Sequence, residues 1–321
     1  MDFYGFYTGT EFHAHEYLGA HVTDDGVVFR VFAPAASGIA VIGEFNEWNG
    51  DPMNKIYDGN FWECVIPTAK VGQMYKYRIY DQSGGCLDRC DPYGRRMELR
   101  PHSASIICGG GKQKFTDEKW LKTRDGGLDK PLNIYEIHAG SWRCKPDEED
   151  QKDVAEHWYN YRELADLLVP YLKENHYHYV EMMPLAEHPS DESWGYQISG
   201  FFSPTSRYGT PDDLKYLVNK CHNAGIGVIM DFVPVHFAVD DYALWNFDGT
   251  ALYEYPHGDV GKSEWGSCNF MHSRGEVRCF LQSAANYWLS EFHFDGIRMD
   301  AVSRLIYWQG DEARGVNGTT L

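Results

Sequence analysis

Strand-like and helix-like runs alternate along the chain after residue 132, and this alternation constrains the fold more than any other feature. Short apolar runs of the strand type occupy residues 133–138, 179–183, 227–233 and 294–300. Runs with helical spacing lie between them, at residues 161–175, between Thr210 and Gly225, and at residues 277–290. Repeated strand–helix units predict parallel strands with helices packed outside, in either a barrel or an open doubly wound sheet.

Polar residues at the strand ends distinguish these two folds. They are Glu136, His138, Glu181, Asp231, His236, Arg298 and Asp300. A barrel builds its site from residues at the carboxyl ends of successive strands, whereas a dinucleotide-binding fold requires a glycine-rich turn after its first strand. No such turn follows His138, so the pattern predicts strands of a TIM (β/α)8 barrel.

The last predicted strand ends in a charged pair, Arg298 and Asp300, whose side chains share one face of the strand. A neighbouring guanidinium favours the ionised form of a carboxyl group, which is the form that a carboxylate nucleophile needs. We expect the contact to be planar and bidentate, a geometry that an ammonium cannot reproduce. The alternative is a structural ion pair on the core-facing side of the strand, and this stretch alone does not decide between the two.

The first 115 residues carry a different pattern, that of a small antiparallel β-sandwich. Alternating runs at residues 27–32, 39–42, 61–66 and 75–80 are separated by Gly, Pro, Asn and Asp. Residues 116–132, which are rich in glycine and charge, read as a linker. The remaining residues, 133–321, then form the barrel portion.

Composition limits the partners and the compartment. The net charge of -18 argues against nucleic acid and against an anionic membrane surface, whereas a neutral polymer would not be repelled. The 10 Trp and 22 Tyr suit either sugar stacking or an aromatic core. The eight cysteines are scattered without zinc spacing, and no apolar run is long enough to span a membrane. We therefore expect buried free thiols, no metal, no cofactor and a cytoplasmic location.

Several motifs resemble those of a known family. The segments DFVPVHF (residues 231–237) and GIRMDAVS (residues 296–303) resemble the first two signature regions of the α-amylase clan, glycoside hydrolase family 13. Residues 133–142, 186–197, 204–211 and 302–312 resemble, more narrowly, the branching enzymes of that family, and the sandwich resembles a family 48 carbohydrate-binding module. Phe232 and Val235 depart from the family pattern, in which Trp and Gly are common.

The resemblance implies a function and a site. The branching enzymes of this family cleave an α-1,4-glucan and transfer the released segment to a 6-hydroxyl by a retaining double displacement, which creates the α-1,6 branches of glycogen. Asp300 would be the nucleophile, Arg298 would keep it ionised, and Asp231 would brace the pocket. The residues implied to contact the sugar are Trp194, Tyr196, Gln197 and His236.

Retaining chemistry also needs a general acid, and the resemblance offers none in residues 1–321, because Glu136 and Glu181 match no acid of the family. We therefore expect the front half of a barrel enzyme, inactive alone and able to self-associate through open barrel edges. The alternatives are a non-catalytic α-glucan-binding chain and a related enzyme that debranches glucan or hydrolyses a trehalose-capped maltooligosaccharide. Whether the end at Leu321 is natural stays open. The sandwich itself is expected to fold independently and to bind glucan weakly through Trp48 or Trp62.

Overall fold

The computed structural model describes residues 1–124, 129–146 and 157–306. Two antiparallel sheets form the N-terminal part. The first has the order β1-β2-β6-β5, with β1 Gly19–Thr23, β2 Gly26–Phe32, β5 Asn54–Ile56 and β6 Phe61–Ile66. The second has the order β4-β3-β7-β8, with β3 Gly38–Gly43, β4 Asp51–Pro52, β7 Met74–Tyr80 and β8 Cys86–Arg89, and β9 (Ser105–Ile106) also pairs with β7. The predicted sandwich is confirmed, with all four predicted strands present.

Alternation of side chains builds the sandwich core. On β7, Tyr75, Tyr77 and Ile79 are buried while the residues between them are more exposed. Trp62 is buried as well, and its indole N–H donates to the carbonyl of Ala33 at 3.0 Å. The expectation that Trp62 could present its ring to a glucan is therefore wrong, because its face of β6 packs inward. Trp48, at 38% exposure, keeps an accessible ring.

A parallel sheet of four strands follows, in the order β10-β11-β14-β17. Its strands are β10 Ile134–Ile137, β11 Tyr179–Met182, β14 Gly227–Phe232 and β17 Gly296–Met299. Each lies within a predicted run. Within the described ranges β10 and β17 are the two edges of this sheet.

The helices that connect these strands are α3 Tyr161–Glu174, α4 Pro211–Asn223 and α6 Gly275–Glu291. Thr210 caps the N-terminus of α4, since its hydroxyl accepts from the amide of Asp213, and Pro211 occupies the first turn. Gly225 follows α4 with φ of 79°, a conformation that favours glycine. The helix α3 continues through Pro170, a residue type that lacks the backbone N–H of a helix interior.

The remaining elements are short. They are the helices α1 Phe3–Thr8, α2 Glu118–Thr123, α5 Gly258–Gly261 and α7 Ser303–Ile306, and the strands β12 Ala186–Glu187, β13 Gly200–Pro204, β15 His236–Phe237 and β16 Cys268–Asn269. The helix α2 lies within the predicted linker, of which residues 125–128 are outside the described ranges. The same holds for residues 307–312 of the motif at 302–312.

The sandwich and the parallel sheet share one continuous hydrophobic core. All eight cysteines are free thiols, as predicted, but only four are buried, and Cys86 and Cys144 are exposed because each lies in a surface segment. None of the described helices is both long and apolar enough to cross a bilayer.

Candidate functional site

The site is built at the carboxyl ends of β14 and β17. Asp231 on β14 and Arg298 on β17 are register partners in the parallel ladder, so their side chains leave neighbouring strands at one level. The Arg298 Nη1 atom donates to both carboxylate oxygens of Asp231, at 2.9 and 2.8 Å, and to Oδ1 of Asp300 at 2.6 Å. One guanidinium therefore joins the two aspartates that the sequence analysis assigned to the site.

The contact differs from the expected bidentate fork. All three hydrogen bonds run from a single terminal nitrogen, which acts as a point charge between three carboxylate oxygens. Pairing with Asp231 and Asp300 outweighs the effect of partial burial and raises the pKa of Arg298 above its usual value. The predicted core-facing position is also corrected, since the Arg298 side chain is 42% exposed and that of Asp300 is 21% exposed. The reason is that β17 is an edge strand in the described part of the chain.

Asp231 is the buried member of the group. Burial raises the pKa of its carboxyl group, while hydrogen bonds from Tyr196 and Arg298 oppose that shift. The Tyr196 hydroxyl donates to Oδ2 of Asp231 at 2.7 Å. Burial together with this bond raises the pKa of Tyr196, so the phenol keeps its proton and remains a donor.

His236 lies beside this group on β15. It is buried, its Nδ1 atom lies 2.9 Å from the Ser267 hydroxyl, and burial lowers the pKa of the imidazole to about 4. The ring is thus neutral near pH 7 and can offer one hydrogen-bond donor or acceptor to a hydroxyl group. The ring centroid of Trp265 lies 5.1 Å from that of His236.

Trp265 is a residue that sequence reasoning missed. Its ring is 46% exposed, and its backbone carbonyl accepts a hydrogen bond from Nε2 of Gln197 at 2.9 Å. Trp194, at 58% exposure, precedes Tyr196 in the same turn as Gln197. The only signal in the sequence was an aromatic residue in a polar loop, KSEWGS, and such residues also pack back on their own domain.

A buried ion-pair network anchors the turn that carries Trp194. Arg207, whose side chain is 1% exposed, donates to Glu187 and to Asp191, both at 2.7 Å. Arg100, which lies between β8 and β9 of the sandwich, also pairs with Asp191. These hydrogen bonds lower the pKa of Asp191 to about 2 against the opposing effect of burial. Neither arginine was predicted, since only the fold brings them together.

Two further carboxylates, those of Glu136 and Glu181, converge on Asp231. Side-chain oxygens of Glu136, Glu181 and Asp231 lie within 4.8 Å of one another. Burial and the neighbouring charges of Glu136 and Asp231 raise the pKa of Glu181. We assign neither a metal nor a catalytic role to this cluster, because proximity of carboxylates alone does not define a site.

Two family descriptions match the chain. "Carbohydrate-binding module 48 (Isoamylase N-terminal domain)" matches residues 17–94, and "Alpha amylase, catalytic domain" matches residues 167–250. The predicted order of a sandwich followed by the start of an amylase-type catalytic domain is therefore confirmed.

Curated relatives match nearly the whole chain. A 1,4-alpha-glucan branching enzyme of Fusobacterium nucleatum is 47% identical over 312 residues, which is 96% of this chain and 50% of the relative. One of Bacillus caldolyticus is 43% identical over 321 residues, 97% of this chain and 47% of the relative. The predicted resemblance to the branching enzymes is confirmed, and the chain spans about half the length of the curated relatives it matches.

Solved structures agree on the fold. A putative alpha amylase from Salmonella typhimurium has a TM-score of 0.70 at 24% identity, over 92% of this chain and 45% of its own. A pullulanase from Paenibacillus barengoltzii, in complex with maltohexaose and alpha-cyclodextrin, has a TM-score of 0.73 at 21% identity, over 90% of this chain and 49% of its own. At this level of identity the likeness concerns the fold alone.

Proposed function

We propose that this chain belongs to the branching enzymes of the alpha-amylase family and that it carries the nucleophile and part of the glucan site of a 1,4-α-glucan branching enzyme. The observation that carries the proposal is the Arg298 guanidinium, which joins Asp231 and Asp300 at the ends of neighbouring parallel strands. In the proposed reaction an α-1,4-glucan is cleaved and the released segment is transferred to a 6-hydroxyl.

Asp300 performs the first displacement in this proposal. Its carboxylate attacks the anomeric carbon, the bond to the leaving glucan oxygen breaks, and a covalent glycosyl-enzyme forms with inverted configuration. In the second displacement the 6-hydroxyl of an acceptor glucan attacks the same carbon, its proton passes to the second carboxyl group that protonated the leaving oxygen, and the Asp300 carboxylate is released, which restores the configuration. Arg298 acts on Asp300 by donating a hydrogen bond that fixes the direction of the carboxylate.

The residues around Asp300 hold the sugar. Neutral His236 offers its imidazole to a sugar hydroxyl, and the ring of Tyr196 packs against the sugar while its hydroxyl stays on Asp231. Trp194 offers an exposed ring, and Gln197 a side chain in the same turn, to the neighbouring glucose units. Asp231 braces the group through its contacts with Arg298 and Tyr196.

The protonation of the leaving oxygen requires a second carboxyl group, about 5 to 5.5 Å from the nucleophile in retaining enzymes. We assign this role to none of the described carboxylates. We propose instead that it comes from the portion of the relatives' length that this chain does not match, which would also supply further strands and close the barrel. Without an acid the chain is a glucan-binding protein and not a catalyst. The test must distinguish this alternative from the proposed branching activity.

The rest of the proposal concerns the domain organisation of the chain and its cellular compartment. Residues 1–115 form the module, residues 116–132 the connection and residues 133–321 the first half of the catalytic barrel. The module adds weak glucan contact through Trp48, an exposed aromatic ring in the segment between β3 and β4. A reducing cytoplasm is the proposed compartment, since all eight thiols are free, two of them exposed.

The test is a chimera in which this chain replaces the matching half of the Fusobacterium nucleatum relative. We expect the chimera to lower the iodine absorbance of amylose and to create α-1,6 linkages detectable by proton NMR. The Asp300→Asn chimera should lose about 10³-fold or more of this rate, because it lacks the nucleophile but keeps the shape of the site.

Glucan retardation in native gels is the control, and it should be equal in the two chimeras. Branching at near-normal rate by the Asp300→Asn chimera would refute the assignment of the nucleophile. A folded chimera that retards glucan but forms no α-1,6 linkages would favour the glucan-binding alternative. Loss of existing α-1,6 linkages from a branched substrate would instead indicate a debranching enzyme.

A further inference from the structure

A cleft of about 340 Å³ lies between the sandwich and the helical layer. One wall comes from the sandwich and includes Arg95 and Arg96, and a second is the segment that contains Gly110. The opposite wall is formed by the start of α4 and the end of α6. None of its lining residues belongs to the site described above, so the cleft needs its own explanation.

The cleft is electropositive on an acidic protein. Its lining holds four cations and two carboxylates, namely Arg95, Arg96, Lys112 and Lys215 against Asp212 and Glu291. The difference, four minus two, is a formal charge of +2 within a chain whose net charge is -18. Charge of one sign gathered in a concave site attracts a ligand of the opposite sign.

Two of the four cations have no partner among the described residues. Lys215 pairs with Glu291, and an Arg95 nitrogen donates to the carbonyl of His15 at 3.0 Å. The Nε atom of Arg96, in contrast, is buried without a hydrogen-bond partner, and no ion pair involves Arg96 or the ammonium of Lys112. A buried donor without an acceptor costs free energy, and a bound anion would remove that cost.

The glycine run before Lys112 shapes this wall. A Cβ atom at Gly111 would lie 2.5 Å from Oδ1 of Asp212, and one at Gly109 would lie 2.8 Å from Cγ2 of Val71. Glycine at these two positions lets the segment pass closely between the sandwich and α4, and the amide of Lys112 then donates to Asp212 at 2.8 Å. At Gly110 nothing lies within 4 Å, so this position faces open space.

The hydrogen-bond donors that line the cleft favour an anion over a neutral glucan as its ligand. Guanidinium and ammonium groups only donate hydrogen bonds, and the aromatic ring of Tyr287 in the lining is buried, so it presents no open face for sugar stacking. A phosphate monoester carries a charge of about -1.5 to -2 near pH 7, which matches the excess of +2 in the lining. The volume exceeds that needed for a bare phosphate, and Val71, which is exposed, supplies apolar surface.

We propose that this cleft binds an organic phosphate monoester of about the size of a sugar phosphate, with the phosphate on Arg96 and Lys112. Because the ligand would contact both the sandwich and the helices α4 and α6, its binding stabilises their packing. The proposal is independent of the branching reaction.

The experiment is isothermal titration calorimetry on the full chain with glucose 6-phosphate, inorganic phosphate and glucose. We expect glucose 6-phosphate to bind, inorganic phosphate to bind more weakly and glucose not to bind. Arg96→Gln and Lys112→Gln should each weaken glucose 6-phosphate binding about tenfold, the effect of losing one charged hydrogen bond. The matched control is Lys119→Gln, which removes the same charge from an exposed position on α2, outside the cleft, and should change nothing.

A further variant tests the location of the binding site independently of its charge. Gly110→Val keeps every cation but puts a side chain into the open space, and it should also abolish binding. Equal binding of glucose and glucose 6-phosphate would overturn the proposal. An unchanged affinity for glucose 6-phosphate in the folded Arg96→Gln and Gly110→Val variants would overturn it as well. If inorganic phosphate bound as tightly as glucose 6-phosphate, the cleft would be a simple anion site and the proposed ligand class would be wrong.

Discussion

At the scale of residues, a single nitrogen atom organises the candidate site. Nη1 of Arg298 serves three carboxylate oxygens, and only one of the two aspartates, Asp231, is fully buried. A buried carboxylate is stable only when its lone pairs are occupied, and Tyr196 provides the remaining hydrogen bond. The geometry of the exposed partner, Asp300, therefore depends on how well Asp231 is satisfied.

Removal of the Tyr196 hydroxyl tests this dependence. We expect Tyr196→Phe to lower the free energy of unfolding by about 1.5 to 3 kcal/mol, because it takes a hydrogen bond from a buried charged group. Urea unfolding followed by circular dichroism measures the change. The matched control is Tyr242→Phe, which makes the same substitution but loses only a 3.4 Å contact with the neutral Ser199 hydroxyl. Equal losses in the two variants would mean that Tyr196 does not stabilise Asp231.

The charged residues at strand ends could be predicted because the period of a strand fixes which side chains share a face. Asp231, Arg298 and Asp300 needed only that rule and the parallel order of the strands. Trp265, Arg100 and Arg207 could not be predicted in this way, because each lies outside the parallel strands. Their positions depend on long-range packing, for which a single sequence carries no periodic signal.

A similar limit applies at the scale of elements. The helices α3 and α4 were predicted closely because their apolar spacing and caps agree. The helix α2 was missed, since it is six residues long and its segment is rich in charge. It is held by side chains distant in sequence: His222 lies 2.7 Å from Asp117 and 2.9 Å from Asp295, and Trp120 on α2 donates to Asp295 at 2.8 Å.

These contacts should make the docking of α2 sensitive to acid. Asp117 accepts from His222 and from His293, and although burial acts in the opposite direction, these bonds hold the pKa of Asp117 below its usual value. The pKa of Asp295 is lowered in the same way, by His222 and Trp120 against burial. Because the folded pKa lies below the unfolded value, the ionised carboxylates stabilise the fold above about pH 4. This contribution is lost as the pH falls through the folded pKa.

The corresponding prediction concerns Asp117→Asn. At pH 6 the substitution should lower the free energy of unfolding by about 2 kcal/mol, because the histidines lose a charged acceptor. At pH 3 the difference from the native chain should shrink, because this pH lies below the unfolded pKa of Asp and the contribution of the ionised carboxylate decreases from there downward. The control is Asp25→Asn at an exposed turn, with no expected effect. A difference that stays constant between pH 6 and pH 3 would show that the charge of Asp117 is not what holds α2.

The sandwich and the parallel sheet are tightly joined at the scale of the whole molecule. Arg89 of β8 is buried and donates to the backbone carbonyls of Asn246 and Phe247, at 2.7 and 3.2 Å, and the amide of Cys90 donates to Tyr242 at 2.7 Å. The N-terminal segment packs on α6, where the amide of Ala14 donates to the Ser283 hydroxyl at 3.2 Å. Burying the arginine without a carboxylate costs free energy that only a fixed interface can offset.

This packing bears on whether residues 1–115 fold alone, as the alternating pattern suggested. A sequence pattern predicts which face of a strand is buried, but it does not identify the surface that covers the face. Here α1 packs on the sandwich, where the ring centroid of Phe6 lies 5.0 Å from that of Phe32, and it also packs on α6, more than 250 residues distant. We therefore propose that the whole described molecule unfolds as one unit, with the packing of α1 on α6 as a necessary part of it.

The closest approach in this interface provides the test. A Cβ atom at Gly275 would lie 1.8 Å from the carbonyl oxygen of Tyr7, so α1 and the start of α6 cannot keep their contact once a side chain is added. We expect Gly275→Ala to lower the free energy of unfolding by about 1 to 3 kcal/mol, the usual cost of overpacking. Gly258→Ala is the matched control, because nothing lies within 4 Å of its Cβ position. Tryptophan fluorescence and circular dichroism during urea unfolding should give one coincident transition that shifts as a whole in Gly275→Ala. Two separate transitions, with only one moved by the substitution, would instead show that the sandwich is an independent unit.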